Sequence, residues 1–133
     1  MSDFEYIDGV RVVVDDVVYM PSLHSSLDKP HPFLYYITVY NNSDRTIQIF
    51  GRKWIVTESD GETLVVEGNG VIGETPTLEP GESFSYNSYH VVAKSAEADG
   101  ALYGISKNSA GELQAKRFLV AIPEFKLQCP NQG

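Results

Sequence analysis

Three groups of residues in this sequence have the types, and approach the spacings, that chemistry uses. Gly68, Gly70 and Gly73 form a Gly-x-Gly-x-x-Gly string, which in dinucleotide-binding proteins lets backbone amides close on a pyrophosphate. His24, His31 and His90, with Asp15, Asp16 and Asp28, carry the donor atoms of a metal site. Serines between Ser22 and Ser26, and the single cysteine Cys129, are candidate nucleophiles.

Each group fails on its surroundings. The glycine fingerprint needs a helix N-terminus directly behind it, and here Pro76 and Pro80-Gly81 follow. The glycines therefore read as loop-shaping residues between two strands. Their amides could still form a small anion nest, with Arg52 completing a site for a phosphate or metal-phosphate ligand. The histidines lack ligand spacing and read as exposed or capping side chains, so no metal is expected. No Gly-x-Ser-x-Gly elbow is present, and Cys129 lies beyond the last expected strand with no base beside it. Asp15 and Asp16 are neighbours on a strand and should point to opposite faces. No catalytic residue, no cofactor and no enzymatic activity are expected.

The elements that would position these residues are strands, because the apolar residues recur with a period of two. Val10, Val12 and Val14 open the first strand, and Phe33 to Tyr40 form the second after a long loop, Met20 to Pro32. The third contains Ile47 and Ile49, then Trp54 and Val56. The inward parity changes between these pairs, so a β-bulge is expected near Gly51. Asp60-Gly61 turns the chain into Thr63 to Glu67. Gly68 to Pro80 reads as loop, Glu82 to Val92 as strand, and Ala93 to Asp99 as the one stretch able to form a helical turn. Ala101 to Lys107 and Glu112 to Ala121 make a last hairpin around Asn108-Ser109-Ala110-Gly111. The count is about seven strands, which is the pattern of an all-β sandwich. Trp54, Tyr35, Phe84 and Tyr86 should form core. Tyr89, His90 and Tyr103 should be on show.

The chain has 133 residues, enough for one domain, expected over 10–127 with tails at 1–9 and 128–133. A formal net charge of −8 argues against nucleic acid and membrane surfaces as partners. One cysteine, no run of about 20 apolar residues and an acidic start from Met1 to Tyr6 lead to a cytoplasmic expectation.

Several strings in this order are similar to one family. Gly51-Arg52-Lys53-Trp54-Ile55-Val56-Thr57, the run Gly68 to Glu82 with its Gly73-Glu74-Thr75-Pro76 and Glu79-Pro80-Gly81, Phe84 and Tyr86, and Phe118 to Leu127 together resemble the ApaG domain over about Val10 to Leu127. Lys53 stands where the family pattern usually has His. The resemblance implies an immunoglobulin or fibronectin-type-III-like sandwich with no established catalytic activity. It also implies a family genetically linked to cobalt and magnesium tolerance, whose eukaryotic members are modules thought to bind proteins. The expectation is a protein-interaction module with an unidentified protein partner. Its alternative is a small-ligand binder using Arg52 and the Gly68 to Gly73 loop. The uncharged segment Leu102 to Ser106, with Tyr103 outward, is the expected strand edge for a partner or for a homodimer.

Overall fold

Runs of Val, Ile and aromatic residues suit a pleated surface covered on one side, and in a computed structural model these runs become strands. The structure describes residues 4–23, 25–71, 73–107 and 116–130. In chain order the strands are β1 Val10–Tyr19, β2 His31–Asn41, β3 Thr46–Glu58, β4 Thr63–Asn69, β5 Thr77–Leu78, β6 Ser83–Val92, β7 Ala96–Lys107 and β8 Lys116–Leu127. They form two antiparallel sheets: β1-β2-β6, and β4-β3-β7-β8 with the short β5 also paired to β3. The protein is a β-sandwich. Among the described residues no helix is long and apolar enough to cross a membrane.

The inner faces meet in one core. Val12, Phe33, Tyr35, Ile37 and Val39 come from the smaller sheet, and Ile47, Ile49, Trp54, Val56, Leu102, Phe118, Ile122 and Leu127 from the larger one. Trp54 is 1% exposed. Its ring centroid lies 5.0 Å from Tyr35, 4.7 Å from His90 and 5.7 Å from Phe125. The turn after β2 is fixed by Asn41, which is fully buried. Its side-chain amide donates to the carbonyls of Arg45 (2.8 Å) and Leu78 (2.9 Å), and its Oδ1 accepts from Ser43 N–H at 3.1 Å. One residue thus joins the smaller sheet to β5 of the larger.

The bulge expected near Gly51 is present: the β3–β7 register shifts between Ile49 and Gly51. Two expectations are corrected. Ala93 to Asp99 forms no helical turn; the chain bends at Ala93 and Lys94 and enters β7, where buried Ala96 and Ala98 alternate with exposed Glu97. The small side chains that suggested a helix are instead packed in a strand. The second concerns the stretch read as loop, Gly68 to Pro80: β5 lies inside it and β4 runs on to Asn69, which brings the strands among the described residues to eight. The turn expected at Asn108 to Gly111 lies outside the described residues. Glu5, ahead of β1, makes a parallel bridge with Phe118 of β8.

Replacing Trp54 with Ala should lower unfolding free energy by about 3–5 kcal/mol, as for other buried aromatic truncations. Tyr89→Ala, at an exposed site, should stay within about 0.5 kcal/mol of the parent. Urea unfolding of both variants checks this, and a Trp54→Ala curve matching the parent would remove the indole from the core.

Candidate functional site

Arg52 and the glycine loop do come together, but they engage each other. Arg52 pairs with Gly68 in the β3–β4 ladder. Its Nη1 donates to the carbonyls of Asn69 (3.1 Å) and Gly70 (3.0 Å). Gly68 makes room for this, because a β-carbon there would lie 2.9 Å from Nη1. The loop amides are also committed. Gly70 N–H donates to Phe50 C=O at 2.5 Å, and Val71 and Glu74 exchange N–H···O=C bonds of 2.8 and 3.1 Å. An anion nest needs converging amides that are free, whereas here the guanidinium meets carbonyls and the amides close a turn. Gly73 is exposed at the tip of that turn.

The histidines do not assemble. His31 Nδ1 lies 3.0 Å from the Tyr19 hydroxyl, and His24 lies outside the described residues. His90, expected to be on show, is only 8% exposed. It faces inward because it pairs with Phe33 across β2–β6, and its ring stacks on Tyr35 at 4.9 Å. Burial pushes its pKa down to about 4. The carboxylates of Glu58, Asp60 and Glu62 do approach within 4.8 Å of one another. Their charge is answered locally: Glu58 accepts from Ala93 N–H at 2.7 Å and lies 3.6 Å from Lys29, while Asp60 is 2.9 Å from Lys94.

Asp15 and Asp16 correct a further expectation. The β1–β2 register shifts between Val14 and Asp16, so both carboxylates reach the outer face instead of opposite faces. Asp15 accepts from the Thr38 hydroxyl at 2.6 Å and Asp16 from Val17 N–H at 2.9 Å. They rim a hollow of about 370 Å³ with Tyr36, Ser85 and Asn87. Cys129 is buried, with its thiol pKa raised by that burial, which makes it a poor nucleophile.

The segment Leu102 to Ser106 is not an edge. It belongs to β7, which pairs with β3 on one side and β8 on the other. Tyr103 does project to the outer face, but its ring covers Gly51 and meets Phe4 edge-on at 6.3 Å. The free edge lies elsewhere. Among the described residues β6 pairs with β2 alone, and its ten residues carry no Asp, Glu, Lys, Arg or Pro. The bond from Asn41 N–H to Glu82 C=O (2.9 Å) sets the phase of the ladder. Even-numbered residues of β6 therefore bond to β2, while Ser85, Asn87 and Tyr89 turn their N–H and C=O groups outward. The other edges are guarded. β1 has its bulge and Asp16, β4 carries Glu67, and β8 carries Pro123, Glu124 and Lys126.

The profile of the ApaG domain matches residues 21–104. The sequence is 37% identical over 111 residues to Protein ApaG of Acidithiobacillus ferrooxidans, covering 82% of both chains. It is 36% identical over 131 residues to Protein ApaG of Shewanella frigidimarina, covering 98% of both. The chain belongs to the ApaG-domain family. A crystal structure described as that of an ApaA protein from Bordetella pertussis superposes with a TM-score of 0.78 at 27% identity, covering 97% of this chain and 99% of that one. The Acidithiobacillus and Shewanella relatives carry the name ApaG and not that of an enzyme.

Within this ApaG domain the sequence signal for the β6 edge was available, since Ser83 to Val92 is as free of charge as Leu102 to Ser106. What separates the two is glycine. A β-carbon at Gly104 would run into the Gln48 carbonyl of β3, and glycine inside a strand often marks another backbone approaching closely.

Two measurements test this geometry. Gly70 has φ +69°, and a β-carbon there would sit 2.6 Å from the Glu74 carbonyl oxygen; Gly70→Val should destabilise the ApaG domain by at least about 1–3 kcal/mol in urea titration. His90 sets a pH dependence. Neutral in the fold down to about pH 4 but protonated near 6.5 when unfolded, it makes the unfolded state bind more protons between those values. Its contribution is fully present above about pH 6.5 and falls by up to about 3 kcal/mol as pH drops toward 4. His90→Phe should flatten stability against pH in that window; an unchanged slope would place His90 in solvent.

Proposed function

We propose that this ApaG domain is a non-catalytic, cytoplasmic protein-interaction module that engages its partner along the free edge of β6. The observation that carries this reading is an edge of ten residues with no charge, proline or bulge, in a molecule whose other edges are guarded. Unprotected edges of that length pair readily with other chains, so one that is kept open is best explained by use. The residues around it support binding more than chemistry. The hydroxyls that meet a base do so singly and on different strands, Thr38 with Asp15 at 2.6 Å, Thr46 with Glu79 at 2.9 Å and Tyr19 with His31 at 3.0 Å.

The alternative, a phosphate-type ligand held by Arg52 with Gly68, Gly70 and Gly73, needs a cation and free amides facing one space. Arg52 facing carbonyls, with the Gly70, Val71 and Glu74 amides bonded inside the loop, speaks for a structural role.

Asn87→Pro is the discriminating variant. Its N–H faces away from β2, a position where proline is tolerated on an edge strand, so the fold should be kept while strand addition is blocked. Affinity capture from extract with quantitative mass spectrometry should show a partner enriched by the parent and depleted at least about tenfold (~1.4 kcal/mol) with Asn87→Pro. Equal capture by the two would move the interaction surface away from β6.

A further inference from the structure

The two layers of the sandwich are unequal in width. β1 packs against β8 at one side, and Trp54 of β3 packs under Tyr35 of β2 and His90 of β6. Counting inward from β8, the three strands of the smaller sheet run out above β3, and among the described residues β4 has no strand over it. The side chains show the gap. Leu64 lies opposite the core residue Val56 and therefore on the inner face, yet it is 44% exposed. Val66, opposite Trp54, is half-buried. A hollow of about 210 Å³ lies against Leu64, Val56, Thr63 and Lys29.

We propose that the place beside β6 and above β4 is a slot for an extended, net-basic segment of a partner polypeptide, which adds to β1-β2-β6 as a fourth strand. This rests on the interaction reading and names the class of partner. Three features define the ligand. Outward N–H and C=O groups of Ser85, Asn87 and Tyr89 supply a main-chain ladder for an extended backbone. Leu64 and Val66 offer apolar surface to every second side chain of the incoming strand.

Charge supplies the third feature. From Trp54 to Ala93, the stretch that builds β4, β5, β6 and the loops between them, there are seven carboxylates and no Lys or Arg. Lys29 is paired with Glu58 and Lys94 with Asp60, Lys53 lies opposite Glu67, and Arg52 keeps its charge because it meets neutral carbonyls, so carboxylates outnumber cations here by seven to four. Glu58 and Glu62 line the hollow beside Leu64, and a region of that net charge attracts a basic segment and repels an acidic one. A second copy would bring the same seven carboxylates edge to edge, so the like-charge term disfavours self-pairing.

The test uses a phage-displayed library of random peptides, each about twelve residues long, selected on the full chain. Enriched sequences should be net positive with alternating apolar residues, and affinity of a synthetic representative should fall as salt is raised. On the unmodified protein, that peptide should slow hydrogen exchange at Ser85, Asn87 and Tyr89 by about tenfold or more. Asn87→Pro should weaken it at least about tenfold, and Asn87→Ala by no more than about twofold, because the main chain makes the contact. The proposal is overturned by enriched peptides that are acidic, by protection elsewhere, or by equal affinity for Asn87→Pro. Protection of the same amides by self-association without peptide would also overturn it, in favour of a second copy. Extract capture that depends on the β6 edge without peptide binding would remove the basic strand alone; loss of both would remove the interaction reading as well.

Discussion

The structure depends on the register shift at Phe50. Among the described residues β3 is the one strand bonded to three others, and its inward residues are odd-numbered before the bulge and even-numbered after it. Had the pleat continued unbroken, Ile47 and Ile49 would share a face with Lys53 and Ile55, and Trp54 would point to solvent. The extra residue restores Trp54 and Val56 to the core and turns Arg52 inward beneath Gly68. Phe50, the residue left out of the ladder, gives its carbonyl to Gly70 N–H. The same irregularity therefore sets the core and anchors the glycine loop.

The aromatic cluster built on Trp54 is tightly packed and imperfectly satisfied. Among the described residues Tyr86 Oη and His90 Nε2 are buried without hydrogen-bond partners. Burial accordingly raises the pKa of Tyr86 and lowers that of His90. Leaving such a group unpaired costs about 1–3 kcal/mol, so ring packing has to outweigh that penalty locally. Polar aromatic residues are tolerated here because each ring buries a large apolar area beside its polar atom.

Much of the fold was legible in the sequence because one face of each strand is buried and the other wet, which writes burial as alternation. The parity change between Ile49 and Trp54 even located the bulge. Pairing partners were not legible, since alternation states which face is buried and not which strand lies alongside. That is why Leu102 to Ser106 reads as an edge in the sequence although Ser83 to Val92 is the edge in the fold. Ala96 and Ala98 misled for a related reason: small residues fit a helix or a crowded strand equally well. His90 was misplaced because its inward position follows from the β2–β6 register, a non-local fact. The carbonyl-facing Arg52 likewise depends on how β4 closes onto β3.

The bridge between Glu5 and Phe118 has a consequence for how the molecule stays discrete. Glu5 takes Arg117 C=O and Leu119 N–H, each at 3.0 Å, and its carboxylate holds Arg45 at 3.0 Å. The leading residues thereby occupy part of the β8 border, on the other sheet from β6. A protein shortened to start at β1 would expose borders on both sheets. Two dissimilar sticky borders on one molecule favour head-to-tail addition, which need not close and can extend as a fibre.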